Sequence, residues 1–327
     1  MWRSSRPAIL LFPLLSGCNG PQSALQPAGI EAERVAALFW WMTGGGILIW
    51  LVVMGLFIYA THIRRHKEHS VRRTRWLILG GGIIFPTVVL AALLVYGLIL
   101  MAQLRDFSGT TLKIAVSGEQ WWWRVRYARE DGSMVELANE IRLPVGERVA
   151  FELSSPDVIH AFWIPSLGGK VDMIPGRTTQ MILEPTKPGT YLGACAEYCG
   201  SAHALMKFDV VVMEKAAFAE WLERQAAPAK PPQDATAQQG LQAFLANGCG
   251  ACHSVRGTEA RGQVGPDLTH AGSRLSLGAG TLPTNAETFS RWIGHTDQLK
   301  PDVRMPAFGM LPADQLAAMA RYLSELE

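Results

Sequence analysis

Two uncharged apolar stretches, residues 38–60 and 76–101, constrain most tightly what this chain can fold into. Each exceeds the roughly 20 residues a helix needs to cross the ~30 Å hydrocarbon core of a bilayer. In lipid every backbone polar group must be satisfied within the segment, so such stretches are helices. Core helices of a soluble protein would carry polar residues at this length. Trp40, Trp41, Tyr59 and Trp76 sit near the ends, where amphipathic rings meet the headgroups. Glycines 44–46 and 80–82 permit close helix approach. The connecting loop, 61–75, sets Arg64, Arg65, Lys67, Arg72, Arg73 and Arg75 against one acid, Glu68. That excess of cations places the loop in the cytoplasm and both termini outside.

The 327 residues allow two or three domains. A net charge of +2 excludes a strongly basic nucleic-acid binder. Each of the five cysteines falls in a motif. Cys18 closes Leu15-Ser16-Gly17-Cys18, after Arg3, Arg6 and an apolar run over 8–15. This is the pattern of an export leader. Its last four residues resemble the lipobox of bacterial lipoproteins. The resemblance implies removal of residues 1–17 and lipidation of Cys18; an ordinary leader with an incidental cysteine is the alternative.

Cys195 and Cys199 open the run Cys195-Ala-Glu197-Tyr-Cys199-Gly-Ser-Ala-His203-Ala-Leu-Met206. Two thiols, an imidazole and a thioether are soft ligands, which favour a copper redox site over magnesium or calcium. Structural zinc uses thiols and imidazole too, but its cysteines are usually C-x2-C pairs and methionine is seldom recruited. A disulfide would leave His203 and Met206 as bystanders. His160 ends a strand-like run upstream.

Between 110 and 225 short β-rich runs (112–116, 121–127, 148–153, 179–183 and 207–212) are punctuated by proline and glycine. They predict a small antiparallel β-barrel or sandwich closed by a helix over 216–225. Residues 226–234 are proline-rich, a semi-rigid linker that separates this domain from a third over 235–327. There Cys249-Gly-Ala-Cys252-His253 has the C-x-x-C-H spacing of covalent c-type haem attachment, with His253 as proximal iron ligand. A redox-active C-x-x-C or a zinc knuckle would use the same thiols. Helices are predicted over 236–247 and 314–327.

These motifs carry a resemblance. The 195–206 run resembles the CuA site of cytochrome c oxidase subunit II. Leu143-Pro144-Val145, Ser154-Ser155-Pro156-Asp157-Val158-Ile159-His160, Ile164-Pro165-Ser166-Leu167-Gly168 and Ile174-Pro175-Gly176-Arg177 extend it across 139–225. Residues 235–327 resemble a class I cytochrome c. Gly240 and Phe244 lie on its first helix, Met319, Tyr322 and Leu323 on its last, and Gly265-Pro266-Asp267-Leu268 matches the loop whose proline carbonyl orients the proximal histidine.

The combination resembles the caa type of bacterial haem-copper oxidase. It implies a multidomain membrane protein: a signal peptide (1–17), an N-terminal segment with a two-helix hairpin (18–109), an all-β cupredoxin domain (110–225), the linker (226–234) and an all-α cytochrome c domain (235–327). The resemblance implies two coppers bridged by Cys195 and Cys199. His160 and Met206 complete one, His203 and the Glu197 carbonyl the other. It also implies Mg2+ on the Glu197 side chain at the border with subunit I, and Trp121 of Trp121-Trp122-Trp123 as electron entry. For the sixth haem ligand the resemblance implies Met305 of Arg304-Met305-Pro306, with His270, His295 and Met310 as competitors. The implied function is electron input to a proton-translocating terminal oxidase of the bacterial plasma membrane. Electrons pass from cytochrome c or a cytochrome bc complex through haem c and CuA to subunit I, with subunit III a further partner. A nitric oxide reductase subunit or a free-standing electron-transfer lipoprotein would share the copper site. One position departs from the family. The glutamate that subunit II usually offers three residues before a tryptophan is here Arg73, before Trp76, which leaves Glu68 as the nearby acid.

Overall fold

The computed structural model describes residues 20–63, 70–129 and 131–327. Cys18, the 1–17 leader and the loop residues Arg64, Arg65, Lys67 and Glu68 lie outside them. The described chain forms two units, residues 33–107 and the remainder.

The first unit holds the apolar rods. Helix α1 (Ile30–Ile58) runs on through a π-helical turn to Ile63. Helices α2 (Val71–Leu77) and α3 (Phe85–Leu104) are joined by a π-helical stretch, Ile78–Ile84, into one rod. Pro86 lies two residues past that stretch; it lacks an N–H and crowds the preceding turn, the usual setting for a widened helix. Each rod has 34 residues, about 50 Å at helical rise, so both outrun the predicted apolar segments. The excess is polar: Glu31, Glu33 and Arg34 at the start of one, Arg72, Arg73 and Arg75 at the start of the other. Helix formation continues past the point where hydropathy stops.

In the second unit ten strands make two five-stranded sheets. Their orders are β3-β2-β1-β5-β8 and β4-β10-β9-β6-β7. The strands are β1 (Leu112–Glu119), β2 (Trp122–Ala128), β3 (Met134–Ala138), β4 (Glu140–Pro144), β5 (Val149–Ser154), β6 (His160–Trp163), β7 (Val171–Met173), β8 (Thr179–Leu183), β9 (Gly189–Cys195) and β10 (Lys207–Met213). The expectation of a purely antiparallel domain is corrected: β1 pairs β5 in parallel, and β4 pairs β10 in parallel. These parallel pairs put sequence-distant strands side by side, as a sandwich with crossing connections requires. Alternation drives the burial. Ile114 and Val116 on β1, and Val149, Phe151 and Leu153 on β5, face inward. Trp123 fills the centre, edge-on to Phe162 and Phe208 at 5.8 and 5.0 Å. Helix α4 (Lys215–Ala226) closes one end through Phe218 and Trp221 against Tyr127.

An arm over residues 20–32 belongs to this unit as well. Ala28 N–H donates to the Ser166 carbonyl at 2.7 Å and Ile30 N–H to Glu184 at 3.0 Å. Sequence alone had assigned the arm to the hairpin segment.

The C-terminal domain is helical. Helices α5 (Ala235–Ala246) and α8 (Ala313–Ser324) cross at Gly240, where a Cβ would fall 2.0 Å from the Ala318 carbonyl oxygen. Phe244 meets Tyr322 edge-on beside the crossing. Helix α6 (Ala286–Gly294), which sequence reading missed, starts with a capping box. Asn285 accepts from Thr288 N–H, and the Thr288 hydroxyl accepts from Asn285 N–H. A short α7 (Thr296–Leu299) follows.

The proline-rich segment does not hold the domains apart. It lies along the helical domain, with Ala229 N–H on the Arg256 carbonyl at 2.9 Å and the His270 ring on that of Ala227 at 3.1 Å. The two domains touch through polar contacts: Lys207 N–H to Ala279 at 3.1 Å, Leu275 N–H to the Glu140 carboxylate at 2.9 Å, and Ser276 to Asp209.

Candidate functional site

Strands β6, β9 and β10 lie side by side at one end of the sandwich, and they carry the soft side chains. His160 opens β6, Cys195 ends β9, and residues 196–206 loop over before β10. Cys195 N–H donates to the Met206 carbonyl at 3.0 Å, closing the loop on itself, and Ala196 N–H ties it to Ala161 at 3.0 Å. Six ligand atoms therefore converge. The two Sγ atoms are 3.8 Å apart, and both thiols are free. Cys195 Sγ lies 3.8 Å from His160 Nδ1 and 3.1 Å from the Glu197 carbonyl. Cys199 Sγ lies 3.5 Å from His203 Nδ1 and 3.8 Å from Met206 Sδ. Donors bound to one ion at about 2.3 Å (sulfur) and 2.0 Å (nitrogen) in tetrahedral array stand about 3.5–3.8 Å apart. A disulfide needs about 2.05 Å. The spacing fits shared metal, and the thioether fits copper.

The electrostatics already favour a thiolate. The hydrogen bond from Cys199 lowers the Cys195 pKa, with help from His160, against the opposing effect of burial. His160, fully buried, is raised despite desolvation because Cys195 and Asp157 both bond it. Asp157 was not singled out in the sequence. Its Oδ1 holds His160 Nε2 at 3.0 Å, and its Oδ2 accepts from Gln120 N–H at 2.8 Å. That contact leaves Nδ1 as the imidazole atom facing the sulfurs, the orienting role that partners of metal-bound histidines play. His160 opens a strand rather than ending one, and an acid three residues before it was the available signal.

The Glu197 side chain points away, 3.7 Å from Lys170 and partly exposed. The three tryptophans divide by environment. Trp123 is core, and Trp122 carries the Arg124 guanidinium over its ring at 4.6 Å. Trp121 is only 6% exposed and donates through Nε1 to the Cys199 carbonyl at 3.0 Å.

A cavity of about 390 Å3 sits within the helical domain and extends to the sandwich. Cys249, Cys252, His253 and Met305 line it, and so does Trp121. His253 Nδ1 donates to the Pro266 carbonyl at 2.9 Å, and burial lowers its pKa, so the ring is neutral with Nε2 free for iron. Gly265 makes this approach possible: a Cβ there would lie 2.6 Å from His253 Cε1. The cavity suits a haem by its thiol pair, neutral imidazole and thioether on a mostly apolar wall, with Arg274 and Lys300 among its few charged groups. Among the competitors of Met305, His270 is spent on Ala227, Met310 is 77% exposed, and neither it nor His295 lines the cavity.

The fold and the two donor sets fit a membrane-anchored redox protein with a thiolate copper site and a c-type haem domain in one chain. Comparison with known proteins agrees. Residues 127–214 match the family described as cytochrome c oxidase subunit II, periplasmic domain, and residues 237–327 match cytochrome c. Cytochrome c oxidase subunit 2 of Alkalihalophilus pseudofirmus is 32% identical, with 100% of this chain and 98% of that protein covered. The Bacillus subtilis protein of the same name is 28% identical over the same shares. A crystal structure of the periplasmic domain of subunit II of cytochrome oxidase from Bradyrhizobium japonicum is similar at 32% identity, covering 36% of this chain and 94% of that one, with a TM-score of 0.34. The chain belongs to the cytochrome c oxidase subunit 2 family, in the form with a fused cytochrome c domain. It is the electron-input part of an oxidase complex and carries copper and haem c.

Proposed function

We propose that this chain takes electrons from a cytochrome c or a cytochrome bc complex at its helical domain and delivers them, through Trp121 and the copper loop, to subunit I. Bound haem c and CuA would supply the one-electron carriers, in that order. The observation that carries this reading is Trp121, which lines the haem cavity and hydrogen-bonds the carbonyl of Cys199. Cys249 and Cys252 would hold the haem covalently, with His253 and Met305 on its iron. His160, Cys195, the Glu197 carbonyl, Cys199, His203 and Met206 would hold the binuclear copper. A buried, hydrogen-bonded ligand cage keeps donor positions fixed, which suits repeated one-electron change.

The outward-turned Glu197 carboxylate offers a hard oxygen for Mg2+ shared with subunit I. Oxygen reduction and its proton translocation belong to subunit I, with subunit III beside it. The leader and Cys18 would make the chain a lipoprotein with both redox domains on the periplasmic face.

Visible and EPR spectra of the purified, detergent-solubilised complex test the reading. Haem c absorption together with a mixed-valence copper signal is expected. A complex that contains this subunit but gives no such copper signal overturns it.

A further inference from the structure

One short segment of the helical domain makes four polar contacts with the copper end of the sandwich. Lys300 is 1% exposed. Its Nζ donates to the carbonyls of Trp121 at 2.6 Å, Leu205 at 2.8 Å and Gly278 at 2.8 Å. Asp302 accepts from Ser201, and Arg304 stands 3.7 Å from Asp157. Every contact on the sandwich side belongs to the copper site. Ser201 and Leu205 lie in the ligand loop, Trp121 holds the Cys199 carbonyl, and Asp157 holds His160. The segment ends on Met305, on the cavity wall.

A buried ammonium has three N–H donors, and each must find an acceptor. Lys300 finds its three on two domains, two carbonyls on the sandwich and one on its own side. The full set exists only when the domains are docked. Two of its three acceptors lie on the sandwich, so the helical domain by itself leaves this group short of partners.

We propose that residues 300–305 are a strap that fastens the Met305 side of the haem pocket to the copper ligand loops, with Lys300 as the positioning residue that holds both centres in one electron-transfer geometry. The step itself makes and breaks no bond and moves no proton. With both groups bound, ferrous haem c would give up one electron and the copper pair would accept it. This inference rests on the haem-to-copper order given above.

The test uses the whole purified oxidase. Haem c is photoreduced and copper reduction followed, while pulsed EPR reads the distance distribution between oxidised haem c and the copper pair. Lys300→Met is expected to slow the transfer by about ten-fold or more and to broaden the distribution, since ångström-scale misplacement is that costly. Lys300→Arg, which keeps the cation and its donors, should recover much of both. A Lys300→Met complex with wild-type rate and a narrow distribution overturns the strap. If that variant fails to load haem or copper, the exposed pair Asp302→Ala with Arg304→Gln decides. A two- to three-fold slowing with intact spectra supports the strap, and no change overturns it. Wild-type complex in which reduced haem c never reduces copper refutes the electron order instead.

Discussion

Single residues divide into those that announce their chemistry and those that act through the backbone. Cys195, Cys199, His203 and Met206 share one loop, so their spacing was readable. Cys249, Cys252 and His253 were readable for the same reason. Asp157 and Lys300 were not, because one acts by orienting His160 and the other by binding main-chain carbonyls. The Lys300 contacts leave no spacing in the chain, and Asp157 leaves only its three-residue step before His160. Replacing Cys195 by Ser should abolish the mixed-valence copper signal and lower copper content measured on the purified complex, while haem c absorption stays. Replacing Met305 by His should lower the haem c potential, because a second imidazole in place of a thioether removes the ligand that raises it. A redox titration reads the shift, and an unmoved midpoint would remove Met305 from the iron. Replacing Glu197 by Gln keeps the main-chain carbonyl, so the copper spectrum should persist while Mn2+ substituted for Mg2+ loses its EPR signature.

Secondary-structure elements were legible where periodicity was long and uninterrupted. Strands β1, β2, β5, β8 and β10 and helices α4, α5 and α8 fall within a few residues of their expected positions. The missed strands have local reasons. β3 and β4 are separated by Asn139 alone, at a φ of 61°, and read as one irregular stretch. β6 and β7 have four and three residues, too short to alternate visibly. β9 contains Gly189 and Gly193, which read as turn residues. Pairing was less legible still, since the parallel partners β1 and β5 are far apart in the chain. Two substitutions test the helical domain. Gly240→Ala puts a methyl onto the Ala318 carbonyl at the α5–α8 crossing and should cost about 1–3 kcal/mol of stability. Asn285→Ala breaks the α6 capping box and should cost about 1 kcal/mol. Thermal unfolding of the two, followed by haem absorption, should rank glycine above asparagine.

For the whole molecule, the cation excess around residues 61–75 makes a prediction of sidedness. A Ser70→Cys variant in intact cells should react with a membrane-impermeant maleimide only after permeabilisation. Labelling without permeabilisation would reverse the assigned topology. The order of apolar helices, β-rich region and helical region was legible from hydropathy runs, strand punctuation and the C-x-x-C-H motif. The docking of the two redox domains was not, because polar pairs such as Leu275 N–H with the Glu140 carboxylate follow no sequence pattern.

The proline-rich segment laid along the helical domain sets the kinetic order of the chain. Its carbonyls and N–H groups are taken up by Arg256 and His270, so it has little slack to let the haem domain wander. A tether of that kind turns a collision between two proteins into a unimolecular event at very high effective concentration. The internal step should then be indifferent to dilution and nearly so to ionic strength. Any dependence of turnover on donor concentration or salt would arise one stage earlier, at the outer surface of the haem domain.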